Sequence, residues 1–295
     1  VRLPGVELAI FEWGQALRGR QPTLFLAHAT GFHARCWDQM IRHLGPRHVV
    51  AVDLRGHGRS SKPEITHWRV FGEDLAALLE ALGLEDVVGV GHSMGGHAMV
   101  DAAAIRPAAF RRLVLLDPVI QSPESYGTDA WVMASLAEAP HPTSKRRNRF
   151  ESPRAMFERF KDRRPYSFFD PAALLDYCEY GLLPAPDGEG FVLACPPAIE
   201  ASIYTTSRTN RTIFESVRKV AAPVLVVRAM EPEGTRDVMD FSASPTWPGL
   251  AEHFVEGRDL QLADLTHFLP MQAPARIASI VLESEKSADQ ERGAP

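Results

Sequence analysis

The chain has 295 residues, 45% hydrophobic and 23% charged, with a net charge of −5. That length holds one large α/β domain with an insertion, or two small domains. The charge balance argues against a nucleic-acid partner, and no run of about 18 apolar residues is present to span a bilayer.

Residues 6–13 alternate, with Val6, Leu8 and Ile10 on one face, and end at Gly14, which predicts an edge strand. Thr23-Leu24-Phe25-Leu26-Ala27 is a buried strand that runs into His28-Ala29-Thr30-Gly31-Phe32. Trp37, Met40, Ile41 and Leu44 then repeat at helical spacing until Gly45-Pro46 stops them. Val49-Val50-Ala51-Val52 is the next buried strand, followed by the glycine-rich loop Asp53-Leu54-Arg55-Gly56-His57-Gly58-Arg59-Ser60. A helix through Phe71, Leu75, Leu78 and Leu82 stops at Gly83, and residues 87–90 form another apolar, β-branched strand. Leu113-Val114-Leu115-Leu116, ending in Asp117-Pro118, supplies one more. Strands that are apolar throughout and alternate with helices predict a parallel sheet covered on both faces.

From residue 119 to 216 the pattern breaks into proline-rich helical fragments. The sheet resumes with Val224-Leu225-Val226-Val227 and Leu260-Gln261-Leu262-Ala263, a helix over 274–283 closes the domain, and the polar residues 284–295 are expected to be disordered. An insertion after the carboxyl end of a strand lies over the sheet edge that carries sites in such folds, so 119–216 is expected to form a lid. Its aromatics Trp131, Phe150, Phe157, Phe160, Tyr166, Phe168, Phe169, Tyr177, Tyr180 and Tyr204 either line a pocket or, the favoured expectation, pack the lid against itself. The basic stretch Lys145-Arg146-Arg147-Asn148-Arg149, with Arg154, Arg159, Lys161, Arg163 and Arg164, is expected to be a solvated face; an anion-recognition site is the alternative.

The chemistry centres on Gly91-His92-Ser93-Met94-Gly95, a G-x-S-x-G pattern between a strand and a helix. The sharp turn strains the backbone of Ser93, calls for glycine on either side, and lifts the hydroxyl beside a helix N-terminus that can receive negative charge. A serine nucleophile needs a base, a group that orients the base, and donors for the oxyanion. Of the eleven histidines, His141, His253 and His267 lie far enough along the chain; His267, between the last strand and the closing helix, is the expected base. His92 and His97 are expected to be packed or capping residues.

These ordered motifs, the His28 to Phe32 turn, the Asp53 to Ser60 loop, the Ser93 elbow and Thr266-His267-Phe268, resemble the α/β-hydrolases with a cap domain. The resemblance implies a mostly parallel eight-stranded sheet with helices on both faces, a core of residues 1–118 and 217–283, and a helical cap over 119–216. It implies an oxyanion hole of the Met94 N–H and one from the loop after Ala27, which falls on Thr30. Ala29 stands where glycine is usual, which leaves Gly31 and Phe32 as alternative donors. The acid is open. The usual turn reads Ala229-Met230-Glu231-Pro232, so Glu231 is a candidate, with Asp237 and Asp240 further off; some relatives carry the acid at the strand end occupied here by Asp117, which is the favoured candidate.

The expected function is hydrolysis of a carboxylic ester or lactone of a small, largely apolar substrate through an acyl-enzyme, without cofactor or metal. Asp53, Arg55 and His57 lack metal-ligand spacing, and Gly56-His57-Gly58 opens no dinucleotide-binding helix. Alternatives on the same fold are a C–C bond hydrolase of a β-diketone, a cofactor-free oxygenase or lyase, and a ligand receptor with little turnover. The three cysteines favour a reducing compartment, with the cytoplasm as default, although a chain that begins at Val1 leaves an upstream signal open. Assembly into a homo-oligomer is left open.

Overall fold

The chain begins with a hairpin. Pro4-Gly5 joins β1 (Arg2–Leu3) to β2 (Val6–Glu7), with Gly5 at φ +76°, the left-handed turn position that glycine fills without strain. The predicted strand over 6–13 divides after Glu7, and only β3 (Ile10–Trp13) joins the main sheet, antiparallel to its neighbour. In the computed structural model, which describes residues 1–126, 141–232, 234 and 242–292, the core then alternates strands and helices. These are β4 (Leu24–Ala27), α1 (Asp38–Arg42), β5 (Val49–Val52), α2 (Arg69–Leu82), β6 (Val87–His92), α3 (Met94–Ile105) and β7 (Phe110–Leu116).

The inserted residues hold β8 (Arg149–Phe150), α4 (Pro153–Phe160), α5 (Pro171–Tyr180), β9 (Leu182–Pro184), β10 (Phe191–Leu193) and α6 (Pro197–Thr205). Helix α7 (Ile213–Lys219) returns the chain to β11 (Val224–Arg228) and β12 (Gly257–Gln261), and α8 (Leu269–Gln272) and α9 (Pro274–Arg292) complete it. The order across the main sheet is β12-β11-β7-β6-β4-β5-β3, all parallel except β3.

The main sheet has seven strands where eight were expected, because the N-terminal hairpin curls away as a separate two-stranded sheet. There Leu3, Val6 and Leu8 join the core that α2, α3 and α7 build on one face. The other face packs on α1 and α9 through Trp37, Met40, Leu269 and Ile277. The inserted segment has its own apolar cluster, in which Phe150, Met156, Phe169 and Tyr177 meet Phe32 and Phe268 of the core. It also holds a small antiparallel sheet, β8-β10-β9, that its proline-rich sequence did not announce.

The tail expected to be disordered from 284 continues α9 to Arg292. Its polar composition suits a helix held at one side: Ser284 Oγ donates to the Val281 carbonyl at 2.7 Å, and Glu285 pairs with Arg47 at 2.7 Å. Among the described residues no helix is long and apolar enough to cross a membrane.

Candidate active site

The elbow between β6 and α3 has the geometry its sequence requires. Ser93 sits at φ 57°, ψ −118°, a conformation that L-residues rarely adopt and that persists only where its surroundings enforce it. A Cβ on Gly91 would overlap the Gly95 carbonyl, and one on Gly95 would overlap the Ala27 carbonyl, so both positions need glycine for close approach. The Ser93 N–H donates to the Leu116 carbonyl at 3.0 Å, which ties the elbow to the end of β7.

His267 lies between β12 and α8, at the same sheet edge. Its Nε2 is 3.0 Å from Ser93 Oγ, and its Nδ1–H donates to Asp117 Oδ2 at 2.6 Å. Asp117 follows β7 at φ 48° and is fully buried. Its Oδ1 accepts from Ser244 Oγ, from Thr246 Oγ1 at 3.1 Å and from the Ala229 N–H at 3.2 Å. Burial pushes the Asp117 carboxyl up, but the hydrogen bond and charge of His267, with the bonds from Ser244 and Ala229, outweigh it and hold the group below the ordinary aspartate value.

Glu231 is not brought to this cluster. Its side chain is 56% exposed and pairs with Arg228 at 3.2 Å. The Nδ1 edge of His267 is already taken by Asp117, which descends from the neighbouring strand. The more distant candidates Asp237 and Asp240 lie outside the described residues, as does Trp131.

The turn after β4 lies against the elbow, where Thr30 Oγ1 donates to Met94 Sδ at 3.4 Å. The alternative donors in this turn are occupied: the Gly31 N–H donates to His57 Nε2 at 3.0 Å, and the Phe32 N–H to the Ala29 carbonyl at 3.1 Å. Among the described residues no hydrogen bond engages the N–H of Thr30 or of Met94. His28 fixes the turn from the other side, accepting from the Leu54 N–H at 3.0 Å and donating to the Ala29 carbonyl at 2.7 Å. Asp53, set aside as a metal ligand, accepts from the N–H groups of Ala34 and Arg59 and holds the loop together.

Three contributors had no signal in the sequence. Ser244 and Thr246 reach Asp117 across 127 and 129 residues of chain, with no motif around them. His92, expected to be a packed or capping residue, donates from Nε2 to the His267 carbonyl at 2.8 Å and so fixes the backbone of that loop. Burial and the neighbouring His267 push its pKa down to about 3, which keeps its ring neutral.

Above the Thr30 turn is a cavity of about 350 Å³, floored by Gly31, Phe32 and Phe268 and walled by aromatic and basic side chains of the inserted segment. Phe150 packs against Phe160 within the segment, as expected, and Phe169 against Phe32 and Phe268 of the core, whereas Phe160, Tyr166, Tyr177 and Tyr204 line the cavity. Within the basic stretch, Arg147, Arg149, Arg154, Arg159, Arg163 and Arg164 are exposed, but Arg146 turns inward to pair with buried Glu200 at 2.6 Å.

The elbow, the fold around it and the order of the motifs define the α/β class of hydrolases. The chain belongs to the alpha/beta hydrolase family, whose sequence profile matches residues 24–280. It is similar to lipase LipV of Mycobacterium tuberculosis, 38% identical over 117 residues, which cover 39% of this chain and 43% of that protein's own length. It is 29% identical over 216 residues to 2-(acetamidomethylene)succinate hydrolase of Mesorhizobium japonicum, covering 72% of this chain and 71% of that protein. The crystal structure of an E-2-(acetamidomethylene)succinate hydrolase superposes with a TM-score of 0.69 over 94% of each chain, at 23% identity, a likeness of fold.

Proposed function

We propose that this protein is a serine hydrolase that cleaves a carboxylic ester or lactone of a small substrate through an acyl-enzyme. The observation that carries the reading is the unbroken line of hydrogen bonds from Ser93 Oγ to His267 at 3.0 Å and on to Asp117 at 2.6 Å. In this reading His267 Nε2 takes the Ser93 proton as Oγ attacks the carbonyl carbon. Asp117 holds the imidazole in the tautomer with its proton on Nδ1 and stabilises the imidazolium that forms. The carbonyl oxygen becomes an oxyanion between the N–H groups of Thr30 and Met94, neither of which has a partner among the described residues. Met94 adds the positive end of α3.

As the tetrahedral intermediate collapses, the carbon–oxygen bond of the leaving group breaks and His267 returns its proton to the departing alkoxide. A water molecule, deprotonated by His267, then attacks the Ser93 ester. Its collapse releases the carboxylic acid and restores the serine. Residues 119–216 act as a cap whose aromatic side chains exclude bulk water from these steps.

The lipase and the 2-(acetamidomethylene)succinate hydrolase share hydrolysis and differ in substrate, so the ester assignment rests on the geometry above. A fluorophosphonate probe is expected to label Ser93, and Ser93→Ala to abolish both labelling and turnover. Folded protein that fails to label overturns the reading. Turnover across p-nitrophenyl esters, lactones and β-diketones then assigns the bond cleaved.

A further inference from the structure

The cavity over the oxyanion turn carries a charge that an apolar ester has no use for. Among the described residues that line it are Arg146, Arg147, Arg159, Arg163 and Arg164, with Glu200 the one carboxylate. Arg146 and Glu200 pair with each other and cancel. Four cations are left around one cavity in a chain whose net charge is −5. Arg147 and Arg164 lie over the rings of Phe150 and Phe168. Among the described residues no carboxylate engages Arg159 or Arg163.

The deeper wall is built to donate hydrogen bonds. Arg146 Nη2 donates to the hydroxyls of Tyr166 and Tyr177 at 3.1 and 3.2 Å. Guanidinium nitrogens only donate, so both phenol oxygens are acceptors there, and their own protons point elsewhere. The two hydroxyls are 3.5 Å apart, so one can satisfy the other, and one phenol proton remains to be given to whatever fills the cavity. This cluster adjoins the oxyanion turn: a Cβ on Gly31 would come within 2.8 Å of Glu200 Oε1 and 3.7 Å of Arg146 Nη1. A group bound here is only a short chain away from a carbonyl held by the Thr30 N–H.

We propose that the cavity binds a carboxylate carried by the substrate itself, so that the preferred ester is the monoester of a short dicarboxylic acid. The free carboxylate accepts a proton-sharing bond from the Tyr166–Tyr177 pair and sits in the field of Arg159 and Arg163. Charge-assisted bonds of this kind are strong in a partly enclosed site and weaken with salt where they face water. Tyr166 and Tyr177 supply direction, and the two arginines supply attraction from the cavity mouth.

The inference rests on Ser93 as nucleophile, and the experiment separates the two. Release of p-nitrophenolate is measured with p-nitrophenyl hemiadipate and with its methyl-capped diester, which has the same chain without the charge, each normalised to its uncatalysed hydrolysis. The expected kcat/KM favours the hemiadipate by about ten-fold or more, and the preference shrinks between about 20 and about 500 mM salt. Combined Arg159→Ala and Arg163→Ala substitution is expected to cut that ratio about ten-fold, mostly through KM. Arg154→Ala, which removes one positive charge from α4 outside the cavity, keeps the wild-type ratio. Equal or better use of the capped ester by the wild-type protein overturns the inference, as does a ratio the double variant leaves unchanged. If Ser93→Ala abolishes turnover of both esters while the wild-type protein ignores the charge, the carboxylate pocket falls and the nucleophile stands. If Ser93→Ala turns over both esters like the wild type, the nucleophile falls first.

Discussion

In the proposed mechanism one residue, Asp117, orients the base, and its replacement by asparagine isolates what a carboxylate does there. The two side chains are isosteric, and asparagine tolerates the positive φ of 48° at this position, so the fold should survive. An amide in place of the carboxylate can donate to His267 Nδ1, which puts the imidazole proton on Nε2, where it meets Ser93 as a donor and no longer as a base. A loss in kcat of roughly 10⁴-fold is expected for Asp117→Asn. Glu231→Gln, which alters an exposed pair with Arg228, is expected to stay within about two-fold, the usual scale for surface pairs. Turnover of p-nitrophenyl esters by both variants checks this, and a loss under about ten-fold for Asp117→Asn would remove it from the mechanism. Sequence alone singled out Ser93 and His267, which the fold brings to 3.0 Å of each other, because local spacing around them reports a turn, a strand end and a helix start. It ranked two acids without deciding between them, since the choice depends on which strand end lies nearest His267 across the sheet. Ser244 and Thr246 were beyond its reach, being contacts of high sequence separation with no local pattern.

At the scale of elements, the helices were read better than the edges. Helix α2 buries Phe71, Leu75, Leu78 and Leu79 at helical spacing and ends at Gly83, which adopts the left-handed cap at φ 58°. Strand β12 was expected at 260–263 but runs over Gly257–Gln261. It is an exposed edge strand whose residues follow backbone pairing with β11 and bury little, so its hydrophobic pattern carries almost no register. The N-terminal stretch differs for a related reason: its alternation runs unbroken from Val6 to Trp13, whereas the chain leaves β2 after Glu7 and enters the main sheet only at Ile10. Gly72 is informative in the opposite sense, since a glycine inside a helix costs about 1 kcal/mol relative to alanine. Here a Cβ would overlap the Cβ of Asp101 and lie 3.1 Å from the Ala98 carbonyl, so α2 and α3 approach closely only because Gly72 lacks one. Overpacking costs about 1–3 kcal/mol and outweighs the propensity gain. Gly72→Ala is therefore expected to lower stability by about 1–2 kcal/mol, seen as a lower urea midpoint at unchanged m-value. A midpoint that rises would show that the two helices separate without cost.

On the scale of the whole molecule, buried neutral imidazoles join the turn after β4 to the rest of the sheet edge, and this ties stability to pH. His28 Nε2 accepts from Leu54, and His57 Nε2 accepts from Gly31, so both rings hold loops by a lone pair that protonation would remove. The two rings lie 4.9 Å apart, edge to face. Burial pushes the His28 pKa from 6.5 down to about 3, and pushes His57 well below its ordinary value. Between about pH 4 and pH 6 the unfolded chain therefore binds protons at these positions that the folded protein refuses. Stability from this source rises with pH through that window and is complete above it, by up to about 1.4 kcal/mol per pH unit for each group. Asp74, Asp101 and Glu200 act with the opposite sign, because burial raises their carboxyls and their contribution to stability falls as pH climbs past their unfolded values. The sum over the molecule is thus a compensation, and the histidine part is seen by difference. For His28→Gln, urea unfolding across pH 4.5 to 7.5 is expected to give a curve shallower than wild type by up to about 1.4 kcal/mol per pH unit below about pH 6, with equal slopes above about pH 7. Curves that run parallel over the whole range would mean that His28 takes up its proton without opening the turn. The turn that carries Thr30 would then not share the acid limb of stability.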